Sequence, residues 1–255
     1  MNEKSENRKA LPKFFLTLLI AGLVGGFIGF FVGLGDRRGL GSAVVAQAAR
    51  ILQIVTPWAI PAATAVTMGS NFFLYRSAKR CCAAWSGGDE DDAAEVVDRR
   101  LNWILLLSSV QILLDLFFFS AAVCYELPGM LYHVAAFLLS GGLTIFAQQK
   151  VVDLTRRMNP EKKGSVYDTK FQKKWLASCD EAERQQIGQA AFHAYSLTSR
   201  ACIFIWAALL VMNIAFGFGI MPSFVAVVIA AVLQVSYMLE CIRMENTPHG
   251  PGWRR

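Results

Sequence analysis

Leu101 to Cys124 reads LNWILLLSSVQILLDLFFFSAAVC. A helix needs roughly 20 apolar residues to cross a hydrocarbon core about 30 Å thick, and this run supplies them. Arg99 and Arg100 stand at its front end, and Asp115 lies deep inside it. A barrel strand would alternate apolar and polar residues over about ten positions, whereas this run is apolar on every face, so helix is the state it dictates.

Working outward, five more runs of the same kind appear. The six expected spans are 14–34, 51–75, 101–124, 130–148, 201–220 and 223–241, joined on one side by polar loops at 76–100 and 149–200. The chain reads as one all-α membrane domain over 1–255, a polytopic bundle of about six spans with helical extensions into the cytoplasm. Composition agrees. Of 255 residues 55% are hydrophobic against 17% charged, and the charges are bunched instead of recurring at each helical turn. Two polar loops hold the mean hydropathy to +0.40.

The direction of threading follows from lysine and arginine. With the N-terminus inside, inner segments 1–13, 76–100, 149–200 and 242–255 carry 4, 5, 10 and 3 of them, which is 22 of the 25. Only Arg37, Arg38 and Arg50 fall outside. Basic loops stay on the cytoplasmic side, so both termini are placed in the cytoplasm. Interfacial aromatics fit this threading, with Phe14, Phe15, Tyr75, Trp103 and Tyr237 near the inner face and Tyr125 and Tyr132 near the outer. The basic N-terminus followed by Phe14–Leu34 resembles a signal peptide, but the apolar run is too long for one and reads as an uncleaved first span.

The net charge of +6 does not point to nucleic acid. The bases flank apolar runs, as an anionic membrane surface favours, and form no continuous stripe. Cys81, Cys82, Cys124, Cys179, Cys202 and Cys241 show no CxxC spacing and read as reduced thiols. Cys81 and Cys82, beside a membrane exit, are weak candidates for acylation.

Small and kinking residues mark packing. Gly22, Gly25, Gly26, Gly29 and Gly33 fall four apart in pairs, a bare face that lets another helix approach closely. That face serves packing within the monomer or a homo-oligomer seam through the first span. Pro57 and Pro61 remove two backbone donors from the second span, freeing the carbonyls of Gln53 and Pro57 and favouring a kink. The freed carbonyls either meet an ion, as in broken transporter helices, or are satisfied by Thr56 or a neighbouring helix.

Asp115 is the first candidate for a functional group, because a carboxyl at mid-span costs roughly 3 kcal/mol on insertion scales. Gln111 lies one turn away on the same face. The expected cluster adds Asn213 from the fifth span, with Arg50 or His133 closing the network from the outer side. Two readings stay open: a proton- or cation-coupled site, or polar bonding between helices. Among loop features, Asp89–Asp92 complements a helix N-terminus, and Ser178 with Glu181 reads as a capping box opening a helix that continues into the fifth span. The YDTKFQKKW run at 167–175 touches either lipid headgroups or neighbouring helices, with Phe171 and Trp175 one turn apart.

Phosphate loops, HExxH and GxSxG patterns and dinucleotide fingerprints are missing, and His133, His193 and His249 are scattered. No cofactor, metal site or catalytic residue is expected. The run from Val166 to Ala191, VYDTKFQKKWLASCDEAERQQIGQAA, resembles a family of uncharacterised bacterial multi-pass membrane proteins, mostly Gram-positive, grouped as a domain of unknown function. Phe171, Trp175 and the acidic run Asp180–Glu183 carry the resemblance, together with the glycine-rich first span and the six-span layout. It implies a plasma-membrane location and no particular mechanism. The leading reading is therefore a non-enzymatic membrane protein whose partners are the lipid bilayer and another membrane subunit. The alternative is the permease subunit of an export system whose ATPase is a separate chain.

Overall fold

The computed structural model describes residues 40–84, 91–217 and 219–245, together with Leu16 and Phe27. Six helices account for nearly all of them: α1 (Leu40–Ala84), α2 (Asp91–Cys124), α3 (Met130–Met158), α4 (Phe171–Ala177), α5 (Glu181–Phe216) and α6 (Met221–Glu245). No strand occurs among the described residues. Five helical stretches are long and apolar enough to cross a bilayer: Ala43–Ala83, Glu95–Cys124, Met130–Met158, Glu181–Asn213 and Met221–Arg243. The protein is a multi-pass integral membrane protein. The first expected span, 14–34, and its five glycines lie outside the described residues apart from Leu16 and Phe27, which are both helical.

The helices are longer than the spans read from hydropathy. α1 has 45 residues, about 68 Å at 1.5 Å per residue, and α2 has 34. Hydropathy stops where lysine and arginine begin, but those residues are good helix formers, so the backbone continues past the apolar limit. The expected kink is not a break either, since α1 stays helical through both Pro57 and Pro61.

Contacts divide the chain into two compact units, 49–186 and 1–48 with 187–255. In the first, α1, α2 and α3 pack side by side. α2 and α3 form a hairpin closed by Tyr125–Gly129, in which Glu126 and Gly129 adopt positive φ of 48° and 76°. The Leu127 N–H closes the end of α2 on the Ala122 carbonyl at 3.1 Å, and Phe119 stacks on Phe137 across the hairpin. Outward faces are greasy, with Leu113, Leu131, Leu138 and Leu139 all strongly exposed, as lipid contact requires.

The interior of this unit has two zones. Ala78, Val97, Leu101, Ile104, Val151 and Leu154 form an apolar core at the end where arginine and lysine gather. Cys81 and Cys82 are half-buried against it, and Arg100 donates to the Cys81 sulfur at 2.8 Å and to the Ser77 carbonyl. Further along the same three helices, most of the buried positions are polar, with Ile60, Ala121 and Ala122 the apolar exceptions.

Beyond α3 the chain folds into a small knot. Gln149 on α3 accepts from the Ser165 hydroxyl at 3.0 Å and the Val166 N–H at 2.8 Å, which fixes where the loop returns. Gly164, at φ 131°, leaves room for the Phe171 ring, since a Cβ there would come within 2.9 Å of it. The capping box at the start of α5 differs from the sequence reading. Asp180 takes the cap, accepting from the Glu183 N–H at 2.8 Å while Glu183 accepts from the Asp180 N–H at 3.1 Å. The Ser178 hydroxyl is engaged elsewhere, donating to the Trp175 carbonyl at the end of α4 and accepting from the Lys163 N–H at 3.1 Å.

In the other unit, α5 and α6 form a second hairpin. Asn213 closes its turn: its carbonyl accepts from the Gly217 N–H at 2.9 Å and its amide oxygen from the Gly219 N–H at 2.7 Å. Gly217 and Gly219 have φ of 66° and 75°, a region glycine enters without steric cost. Tyr195 stacks on Tyr237, and Gln234 meets Ser199 at 3.5 Å.

Candidate functional site: a polar seam through three helices

Side chains three, four and seven apart share one helix face. α1 places Thr64, Thr67 and Asn71 on such a face, and α2 places Ser108, Gln111 and Asp115 on another with the same spacing. The two helices run antiparallel, so the stripes meet in reverse order. Asn71 Nδ2 donates to Ser108 Oγ at 3.3 Å, Thr67 Oγ1 to Gln111 Oε1 at 2.9 Å, and Gln111 Nε2 to Thr64 Oγ1 at 3.2 Å. α3 contributes Ser140, and Thr144 is buried beside it with its hydroxyl on the Ser140 carbonyl.

Asp115 is the centre of this seam, 2% exposed. Gln111 Nε2 donates to one carboxyl oxygen at 2.9 Å, and Ser140 Oγ to the other at 2.6 Å. Ser140 in turn receives Thr64 Oγ1 at 2.8 Å and Gln111 Nε2 at 3.1 Å. Asp115 thus joins α2 to α3 directly, and α1 joins through Thr64. All its hydrogen-bond partners are neutral. Where helices cannot gain hydrophobic energy from lipid, bonds of this kind between them supply about 1 kcal/mol each.

Of the five residues expected to cluster, the structure brings together Asp115 and Gln111. Arg50 is exposed on α1, fourteen residues before Thr64 and so about 21 Å away along the helix axis. His133 is buried on α3, seven residues before Ser140, and lies edge-on to Tyr132 with ring centroids 5.2 Å apart. Asn213 belongs to the other unit, where it holds the α5–α6 turn. Ser140, Thr64, Thr67, Asn71, Ser108 and Thr144 were not singled out from sequence; their three- and four-residue spacing was the available signal.

One of the two proline-freed carbonyls, that of Pro57, has a partner in this unit. The Tyr132 hydroxyl donates to the Pro57 carbonyl at 2.9 Å, replacing the bond that Pro61 cannot make. Thr56 does not serve it: its hydroxyl is buried without a hydrogen-bond partner.

The knot holds a second buried charge. Lys162 is 6% exposed and pairs with Glu183, with Cys179 Sγ at 3.5 Å and the Trp175 ring centroid at 5.8 Å. Burial pulls the Lys162 ammonium down, but the hydrogen bond and charge of Glu183, with Cys179, outweigh it, so the net shift is upward. Burial pushes the Cys179 thiol up against the opposing pull of Lys162. Phe171 and Trp175 pack on each other with ring centroids 5.5 Å apart and are both half-buried. Lys174 pairs with Asp168 on its surface, which with the Lys170 N–H holds the Asp168 carboxyl below its ordinary range.

Among the described residues no three His, Cys, Asp or Glu side chains converge as a metal site. No curated protein and no solved structure matches the chain. The family described as Protein of unknown function (DUF3169) matches residues 8–240, nearly the whole length and including both the seam and the knot. This multi-pass membrane protein belongs to that family.

Proposed function

We propose that the protein is a non-enzymatic interaction or accessory component of the bacterial plasma membrane, with both termini in the cytoplasm. The observation that carries this reading is the use made of Asp115. Both its oxygens are bonded within the contact of three helices, so the carboxyl acts to hold a rigid scaffold together. The distribution of basic residues, 22 of 25 on one side of the spans, supports the threading. The four-residue spacing of the glycines between 22 and 33 in the sequence is of the kind that admits a second copy or a partner subunit.

Purification from mild detergent tests the role. The reading expects the protein alone, as a homo-oligomer, or with another membrane subunit. A stoichiometric nucleotide-hydrolysing chain would replace it with the export-permease reading. Threading is tested separately by impermeant thiol reagents on cysteines introduced one at a time into a cysteine-free background. A residue at Lys173 should be shielded in intact cells and one at Arg38 labelled, and the reverse pattern would overturn the placement.

A further inference from the structure

The seam reaches well beyond Asp115. On α1 its polar positions run from Thr56 through Thr64 and Thr67 to Asn71, fifteen residues or about 22 Å, most of a hydrocarbon core about 30 Å thick. Thr64, the α1 residue nearest the Asp115 network, falls midway. α3 adds buried His133 on the Thr56 side of Ser140, and α2 adds buried Ser108 beside Asn71. The two ends share a property that the middle lacks. Thr56 Oγ1 and Asn71 Oδ1 are buried with no hydrogen-bond partner on the protein. Buried polar groups are nearly always bonded, and each of these two can accept from an entering water.

The middle contains a relay of hydroxyls. Asp115 Oδ2 lies 2.6 Å from Ser140 Oγ, Ser140 Oγ lies 2.8 Å from Thr64 Oγ1, and Thr64 Oγ1 lies 2.7 Å from the Ile60 carbonyl. Hydroxyl hydrogens rotate, so these heavy-atom positions serve two arrangements. With a carboxylate, Ser140 donates to Asp115 and Thr64 donates to Ser140. With a carboxylic acid, Asp115 donates to Ser140, Ser140 to Thr64, and Thr64 to the Ile60 carbonyl. Gln111 holds the other carboxyl oxygen in both.

We infer that Asp115 is a reversible proton-binding site inside the membrane, reached from water along this seam. On binding, an O–H bond forms at Oδ2, the proton arrives on hydronium, and hydronium leaves as water. The groups facing the relay are the Ile60 carbonyl, Thr64 and Thr67 from α1, Gln111 from α2, and Ser140 and Thr144 from α3. All are uncharged, and His133 stands two turns away along α3. The inference rests on the helix-bonding role proposed for Asp115 and adds an exchangeable proton to it.

The test is infrared difference spectroscopy of the full chain in lipid nanodiscs, taken between acid and alkali in H2O and D2O. A carboxylic-acid carbonyl band should form reversibly, shift in D2O, and vanish in Asp115→Asn. In Ser140→Ala its midpoint should move by about one pH unit, a tenfold change in proton affinity, whereas Ser140→Thr should keep the wild-type midpoint. Should Asp115→Asn fail to fold, the Ser140 pair carries the test alone. The inference is overturned if wild type shows no such reversible band, if Ser140→Ala leaves the midpoint in place, or if sodium at fixed pH abolishes the band. None of these outcomes alters which subunits co-purify, so loss of the proton site and loss of the accessory reading are told apart.

Discussion

The three-helix unit is packed in two opposite ways along its length. At the basic end, Val97, Leu101, Ile104, Val151 and Leu154 close an apolar core resembling that of a soluble protein. Further into the span, most of the buried positions are Thr, Ser, Asn, Gln and Asp, alongside Ile60, Ala121, Ala122 and His133. Water drives the first arrangement, since apolar side chains near an aqueous boundary gain by leaving it. Lipid removes that gain, because tails solvate Leu as well as another helix does, and directional bonds take its place. One bundle therefore shows which force holds helices together at each depth.

Substitutions that exchange the two chemistries should expose this difference. Ile104→Ala keeps an apolar residue but leaves a cavity in the core, and should cost about 3 kcal/mol in reversible unfolding from mixed micelles. Asp115→Leu makes the seam greasier at similar volume yet strands the Gln111 and Ser140 donors, and should cost about 2 kcal/mol. Asp115→Asn retains an acceptor and should cost less than half of that. If Asp115→Leu stabilises the protein, the seam contributes nothing to helix association and the comparison fails.

A third kind of packing lies in the knot, where Lys162 is buried against an opposite charge. Glu183→Gln leaves the ammonium without its carboxylate and should destabilise the knot by about 1–2 kcal/mol, the partial exposure of Glu183 limiting the loss. Amide hydrogen exchange over 159–180 should report it, with the α2–α3 hairpin unchanged. The sign of its pH dependence is fixed. Lys162 is shifted up from 10.5, so its contribution is complete below that value and is lost as pH rises through the higher folded value. Exchange in the knot that accelerates on mild acidification, while Asp168 is still ionised, would contradict this. Tyr132→Phe deprives the Pro57 carbonyl of its donor and should lower stability by about 1 kcal/mol.

Sequence revealed five long apolar helices because their length and greasiness are properties of composition, needing no knowledge of neighbours. It located Asp115 and Gln111 for the same reason, since an acid in a span is conspicuous. The hydroxyls were harder. Ser108 and Ser109 are adjacent in sequence, yet Ser108 is buried in the seam while Ser109 faces outward and bonds its own Leu105 carbonyl. Ser120 satisfies itself on Leu116 in the same way. A membrane serine can always bond backwards along its helix, so its presence carries no message until the phase of the helix is known. The displaced capping box has a similar cause. Ser178–Glu181 and Asp180–Glu183 both fit the pattern, and Ser178 is taken up by the Trp175 carbonyl and the Lys163 N–H, both outside α5.

The most direct test is a double-mutant cycle on Asp115→Leu and Ser140→Ala, measured as reversible unfolding of the full chain in bicelles. A bond that joins α2 to α3 should give a coupling energy of about 1 kcal/mol, with the double variant less destabilised than the two single variants added together. Strict additivity would show that the 2.6 Å contact contributes nothing to holding the helices together, and would contradict the account.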